Sequence, residues 1–390
     1  MISVAEALAH LFALATPLQV EEVPLRDANA RVLAMPLAAR RTQPPFAASA
    51  MDGYAVNASE VAPGATFTVI GEAAAGHGFS GRIAQGEAVR IFTGAPMPAG
   101  TDHVIIQENV TRSADRITLN ESANDNANVR AAGGDFREGD TLAAPRRLTP
   151  ADMALLAAMN VPMVPVVRKP VVAIIATGDE LVHPGEIPGP DQIIASNSYG
   201  IAALAESIGA EARLLPIARD TKASLQLAFD LAAGADLIVT IGGASVGDHD
   251  IVGQVASEAG MERAFYKVAM RPGKPLMAGR LGGSAMVGLP GNPVSAMVCG
   301  QIFLVPMLRK MLGLGEAPAP RRTAALAHDI AANGPREHYM RAKLTDDGLV
   351  VFARQDSALL TVYSDADCLA IRPPHDPARA KGDTLQIIAL

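Results

Sequence analysis

From residue 171 to residue 312 the chain alternates short, β-branched apolar runs with stretches of helical period, and this rhythm constrains the fold more than any other feature. The runs at 171–176, 214–218, 237–241, 265–268 and 285–289 are too short for ordinary helices and read as strands. Between them, residues 196–209, 221–233 and 251–258 read as helices, the first with Ile201, Leu204, Ala205 and Ile208 on one face and Gly209 at its close. A long apolar helix follows from the turn at 290–293 to about 312, with a kink expected at Pro306. Strand and helix in alternation build a doubly wound, mainly parallel sheet, and such sheets bind ligands beyond the carboxyl ends of their strands. The turns that follow these strands should gather Glu180, Asp220, Asp250, Arg271, Lys274 and Asn292 at one edge.

Those turns carry the chemistry. The run 237–241 opens into Gly242-Gly-Ala-Ser-Val-Gly247-Asp-His-Asp250, where consecutive backbone N–H groups can surround an anion and Asp248 and Asp250 can hold a divalent cation. Glycine-rich strand-to-helix turns also arise for steric reasons alone. Glu180, Asp220 and Asp250 stand at three separate strand ends, and gathered carboxylates raise one another's pKa unless a cation offsets them, so Mg²⁺ or a basic substrate group is expected. Each taken singly is as readily a solvated loop residue. Lys267, Arg271 and Lys274 flank proline and Gly273 in a tight loop that suits a phosphate or oxyanion, with a solvated basic loop as the equal alternative. Arg336, Arg341 and Ser357 are weaker candidates, and His249 and His338 read as surface residues. Zinc spacing, HExxH, GxSxG and Walker A motifs are missing, which sets aside protease, α/β-hydrolase and P-loop readings.

The remaining segments suggest further domains. Residues 3–15 have helical period with a Ser3/Glu6 capping box, and a second short helix is expected at 27–34. After the Pro-rich turn at 43–46 the pattern changes to short strands, including the Asp52-Gly53 and Thr93-Gly94 turns. Thr149 and Pro150 start another helix, which reads as re-entry into the N-terminal module. The expected organisation is an α/β multidomain chain. A split N-terminal module occupies 1–44 and 141–168, a small β domain 45–140, the doubly wound domain 169–316 and a C-terminal β domain 317–390. A formal net charge of −7 argues against nucleic-acid binding, and Cys299 and Cys368 read as buried free thiols. With no basic n-region at the N-terminus and no apolar run of membrane-spanning length, a cytoplasmic location is the default.

Taken together, Pro44-Pro-Phe-Ala-Ala-Ser-Ala-Met-Asp-Gly-Tyr-Ala-Val56, Arg90-Ile-Phe-Thr-Gly-Ala95, Thr177-Gly-Asp-Glu-Leu181, Ser196-Asn-Ser198, Gly242-Gly-Ala-Ser-Val-Gly247, Arg271-Pro-Gly-Lys-Pro275 and Leu289-Pro-Gly-Asn-Pro-Val-Ser295 resemble the MoeA family. These are molybdopterin molybdenumtransferases, similar to the E domain of gephyrin. The resemblance covers most of the chain and implies a MogA-like molybdopterin-binding domain at 169–316. It implies a cytoplasmic homodimer that inserts molybdate into adenylylated molybdopterin with Mg²⁺ and releases AMP. A molybdopterin adenylyltransferase and client molybdoenzymes are the implied partners. Asp52, Thr93, Glu180, Asp220, Asp250, Lys267 and Lys274 are the implied catalytic residues, with Asp52 and Thr93 acting across the dimer interface. Metal binding falls to Asp250, Glu180 and Asp220. Pterin, phosphate and molybdate contacts fall to Thr177, Gly178, Ser196, Asn197, Gly242, Gly243, Ser245, Gly247, Arg271, Pro290, Gly291, Asn292, Pro293, Ser295, Arg341 and Ser357. Arg271 stands where the family motif has lysine, and a planar guanidinium is not equivalent to an ammonium. A scaffold protein on the same fold and an enzyme handling tungstate are the alternative classes.

Overall fold

The computed structural model describes residues 1–120, 126–243 and 251–390. Its central sheet has six strands in the spatial order Glu211–Leu214, Val171–Ala176, Leu237–Ile241, Ser284–Leu289, Met277–Leu281 and Glu262–Tyr266. The first four run parallel, as expected, and the last two form an antiparallel edge. The sequence reading missed Met277–Leu281, whose Ala, Gly and Arg residues give little β-branched signal. The strand expected at 214–218 is instead Glu211–Leu214. Residues 215–218 follow the neighbouring strand only through isolated bonds, because Pro216 has no N–H to donate.

The two faces of this sheet are buried in separate cores. Val172, Ile174, Val239, Ile241, Val287 and Leu289 face one, while Ala173, Ile175, Ile238 and Met286 face the other. Each of the Val, Leu, Ile and Met side chains among them contributes roughly 1.5–3 kcal/mol of apolar burial, which fixes the strand ends that carry the polar turns. Helices Asn197–Ile208 and Pro293–Cys299 cover the first face, and Lys222–Leu231 and Ile251–Glu258 the second. Gly209 closes Asn197–Ile208 in the left-handed conformation, and Thr221 caps Lys222–Leu231. The apolar helix continues past Cys299 as a π segment, Gly300–Leu304, and then as Val305–Met311. The wider turn lies directly before Pro306, where the helical ladder lacks a donor. At 19 residues Pro293–Met311 is long and apolar enough to cross a membrane, contrary to the sequence reading, but 78% of its apolar 18-residue window is buried in the protein's own core.

Strands Val20–Pro24, Val32–Leu33, Arg146–Arg147 and Met163–Val167 form one antiparallel sheet, so two distant sequence segments build one unit. No helix forms at 27–34. A 3-10 turn at Leu25–Asp27 is followed by left-handed Ala30 and the buried strand Val32–Leu33, whose pairing on both edges overrides a weak helical period. The helix Val4–Leu14 has the expected Ser3/Glu6 capping box, and its buried face joins the core of the central α/β unit. A six-stranded sheet in the order His103–Ile106, Gly53–Val56, Glu87–Ile91, Thr66–Ala73, Arg116–Leu119, Val110–Ser113 forms the small β unit. In the C-terminal sheet, Glu337–Thr345 and Cys368–Arg372 are central, and the short strand Met270–Arg271 joins its edge from the α/β unit. Cys299 and Cys368 are free and buried.

Candidate functional site

Strand Val171–Ala176 connects to its neighbours on opposite sides of the sheet, which opens a crevice between its carboxyl end and that of Leu237–Ile241. A cavity of about 580 Å³ lies there. Thr177, Glu180, Ser196, Asn197, Gly242, Gly243, Pro290, Gly291, Asn292 and Pro293, all anticipated from sequence, line it together with Pro275 and Ala358. Gly243 has φ of +62°, and a Cβ there would lie 2.3 Å from Val252 Cγ2, so the turn admits no side chain. Asn197 Nδ2 donates to Gly291 O at 2.7 Å and thereby ties the starts of two helices across the cavity.

The acidic turns are partly assembled. Gly178 N donates to Ala218 O, Asp220 N to Asp179 Oδ1 at 3.2 Å, and Arg219 Nη1 to the carbonyls of Asp179 and Leu181. These bonds lock the Glu180 and Asp220 turns side by side. Glu180 lines the cavity, whereas Gly178 and Asp220 stand just outside its lining. Asp250, Ser245 and Gly247, with Asp248 and His249, lie outside the described residues. Among the described residues, no three His, Cys, Asp or Glu side chains converge to hold a metal ion.

The basic loop meets the cavity through Pro275, with Lys274 exposed beside it. Lys267 turns away from the lining: its ammonium lies 5.0 Å from the ring centre of Tyr266. Ser295 is buried in the helix that follows Asn292 and is not part of the lining. Ser357 Oγ accepts from Asn292 Nδ2 at 3.0 Å, and Ser357 O accepts from Val294 N. The loop at 355–358 therefore joins the cavity rim to the C-terminal sheet.

Directly behind that loop is Arg341, which has no exposed surface. Its Nη2 donates to Asp356 O at 3.1 Å, while Nε and Nη1 are buried without an acceptor. Burial first, and then the nearby Arg271 guanidinium, push its pKa down to about 10, with Asp356 opposing. His338 also lies here, 6% exposed and with Nε2 unpaired, so it is not the surface residue expected from sequence. It pairs with Arg271 and Arg372 on the two neighbouring strands. Burial, followed by Arg271, Arg341, Arg336 and Arg372, lowers its pKa to about 4. Arg372 is neutralised by buried Asp376 and Arg271 is exposed, so the buried charge left without a counter-anion is that of Arg341, and a buried guanidinium with free donors is matched to an oxyanion. Sequence alone offers Arg271, Arg336 and Arg341 as candidates but not their convergence, which depends on a strand that leaves one domain for the sheet of another.

Asp52 and Thr93 form a separate feature in the small β unit. Thr93 N and Oγ1 both donate to Asp52 Oδ1 at 2.8 Å. Those two bonds, chiefly the backbone one, hold the Asp52 carboxyl below its usual pKa range, with a smaller push from Arg90. Neither residue lines the cavity of its own chain.

Three consecutive family matches cover the sequence. Residues 2–160 match the MoeA N-terminal region (domain I and II), 173–310 the probable molybdopterin binding domain, and 323–390 the MoeA C-terminal region (domain IV). A molybdopterin molybdenumtransferase of Haemophilus influenzae is 38% identical over 314 residues, 80% of this chain and 78% of that protein. Another from Nostoc sp. is 35% identical over 386 residues, 95% of this chain and 88% of that protein. A solved molybdopterin biosynthesis MoeA protein from Pyrococcus horikoshii superposes with a TM-score of 0.84 at 26% identity, covering 100% of both chains.

Proposed function

This chain belongs to the MoeA family of molybdopterin molybdenumtransferases, and on that premise we propose that it inserts molybdate into adenylylated molybdopterin, with AMP as the leaving product. The observation that carries the proposal is Arg341, a buried guanidinium with two unpaired donors directly behind the rim of the 580 Å³ cavity. A tetrahedral dianion satisfies those donors and offsets the charge of Arg271 beside them. The cavity suits the nucleotide-bearing pterin, with the N–H groups of Gly243 and of the 291–292 turn available to phosphate oxygens while that of Gly242 is held by Leu289 O.

Each group then has a role that its position permits. Arg341, Arg271, Lys274 and Ser357 receive molybdate. Asn197 and Asn292 orient the pterin, and the fixed turns bring the dithiolene sulfurs to molybdenum. Water adds across the phosphoanhydride so that AMP parts from the molybdopterin phosphate, and the two dithiolene thiols bind the metal as one molybdate oxygen leaves as water with their two protons. Glu180 and Asp220, on bonded turns, offer all-oxygen ligands of the kind Mg²⁺ takes, with Asp250 as the third member of the set. Bound there, Mg²⁺ would supply charge stabilisation to the phosphate oxygens. Lys267 is left out of the first contacts, since its side chain rests on Tyr266. The protein acts in the cytoplasm as a homodimer in which Asp52 and Thr93 of one subunit complete the cavity of the other. It receives its substrate from a molybdopterin adenylyltransferase and passes product to client molybdoenzymes.

The test is AMP release from adenylylated molybdopterin and Mg²⁺, with and without molybdate, together with reconstitution of a cofactor-free molybdoenzyme. Molybdate-dependent AMP release with recovery of the client's activity is the expected result. Tight binding of the adenylylated pterin without AMP release under either condition would overturn the proposal in favour of a carrier.

A further inference from the structure

Arg90 is the most heavily engaged side chain near the Asp52 turn. It stands opposite Tyr54 in the ladder between Gly53–Val56 and Glu87–Ile91. Its guanidinium carbon lies 5.1 Å from the ring centre of Tyr54 and 4.7 Å from that of Phe92, so the cation is held between two aromatic faces. Nη1 donates to Gly53 O at 3.1 Å and Nη2 to Gln107 Oε1 at 2.6 Å. Gln107 N in turn donates to Asp52 O at 3.1 Å.

These contacts close a circuit around one residue. The Asp52 carbonyl is held by Gln107, the next carbonyl by Arg90, and carboxylate Oδ1 by the amide and hydroxyl of Thr93. Among the described residues Oδ2 accepts no hydrogen bond, which leaves one oxygen of a fixed, half-buried carboxylate free. An Asp-Gly turn on its own samples several conformations, so a forked donor that pins both the turn and its neighbouring strand has a clear purpose.

We infer that Arg90 is a positioning residue: it acts through Asp52, holding the Asp52–Thr93 pair so that the free carboxylate oxygen is presented to a reaction partner. Its effect on turnover rests on the molybdenum-insertion reading above, whereas its effect on the turn does not. Lysine cannot replace it, because an ammonium over the rings cannot also reach Gly53 O and Gln107 in the planar fork.

Two measurements test this. In Arg90→Gln and Arg90→Lys, exchange of the Thr93 amide should rise at least about 10-fold while that of Ile117, in the same sheet, stays within about 2-fold. In AMP release, Arg90→Gln should lower kcat about 10- to 100-fold with little change in KM, and Arg90→Gln in an Asp52→Asn background should cost no more than Asp52→Asn alone. Unchanged Thr93 exchange, a rise spread over the whole sheet, or additive losses in the double variant would each overturn the assignment. If the wild-type protein releases no AMP, the functional reading fails, and amide exchange still decides the role of Arg90.

Discussion

A fully buried arginine with unpaired nitrogens is costly, and Arg341 has two such nitrogens plus a second guanidinium nearby. Leaving a buried charge uncompensated costs several kcal/mol, whereas a well-packed apolar side chain in its place is neutral or stabilising by about 1–4 kcal/mol. Residues kept at such a cost are usually functional. Arg341→Met should therefore melt at the same temperature as the wild type or higher, while the rise in melting temperature that molybdate gives the wild type should disappear. Thermal unfolding with and without molybdate measures both. Lower stability without ligand would mean that the guanidinium holds the C-terminal sheet together, and a retained molybdate shift would place the oxyanion elsewhere. Arg341 was a weak candidate on sequence alone, since nothing in Tyr339-Met-Arg-Ala342 distinguishes a solvated arginine from one with no exposed surface. The same holds for His338, which reads as a surface residue in the sequence and is buried in the structure.

Among the elements, the loop from Met270 to Pro275 connects most directly to the site. It leaves the α/β unit, pairs Met270 and Arg271 with Glu337 and His338, and returns to line the cavity through Pro275. Its height is set from below by Cys299, as Gly273 has φ of +103° and a Cβ there would lie 2.4 Å from Cys299 Sγ. Gly273→Ala should cost about 1–3 kcal/mol, combining backbone strain with overlap against a packed core. Cys299→Ala should recover the overlap part but none of the strain, so the double variant should be more stable than Gly273→Ala despite the small cavity. Denaturation of the three variants checks this, and equal or lower stability in the double variant would remove the steric explanation. The elements themselves were largely legible in the sequence where period and punctuation agreed, as at Ser3/Glu6, Thr149-Pro150, Gly209 and residues 237–241. They were misread where long-range pairing decided the outcome, as at Val32–Leu33 and Met277–Leu281. The cavity was legible because a parallel sheet places its polar turns at one edge. The burial of Arg341 and His338 beside Arg271 is not legible in the sequence, because it needs a strand exchanged between sheets.

At the scale of the whole molecule, the two halves of the anticipated chemistry stand apart within one chain. Glu180, Asn197 and Asn292 line the cavity, whereas Asp52 and Thr93 form an ordered pair that contributes nothing to its lining. An isologous dimer resolves this separation if the small β unit of each subunit faces the cavity of the other, since two-fold symmetry then builds two identical composite sites. Subunit mixing gives a sharp test. Asp52→Ala and Glu180→Ala should each abolish turnover in their own homodimers. In a heterodimer, one cavity combines both altered residues and the other combines neither. Tandem-tagged, purified heterodimers should therefore regain about half the wild-type activity per dimer, because one of the two symmetric sites is intact. Sites completed within a single chain would give heterodimers as inactive as either parent, since every cavity would then lack one carboxylate.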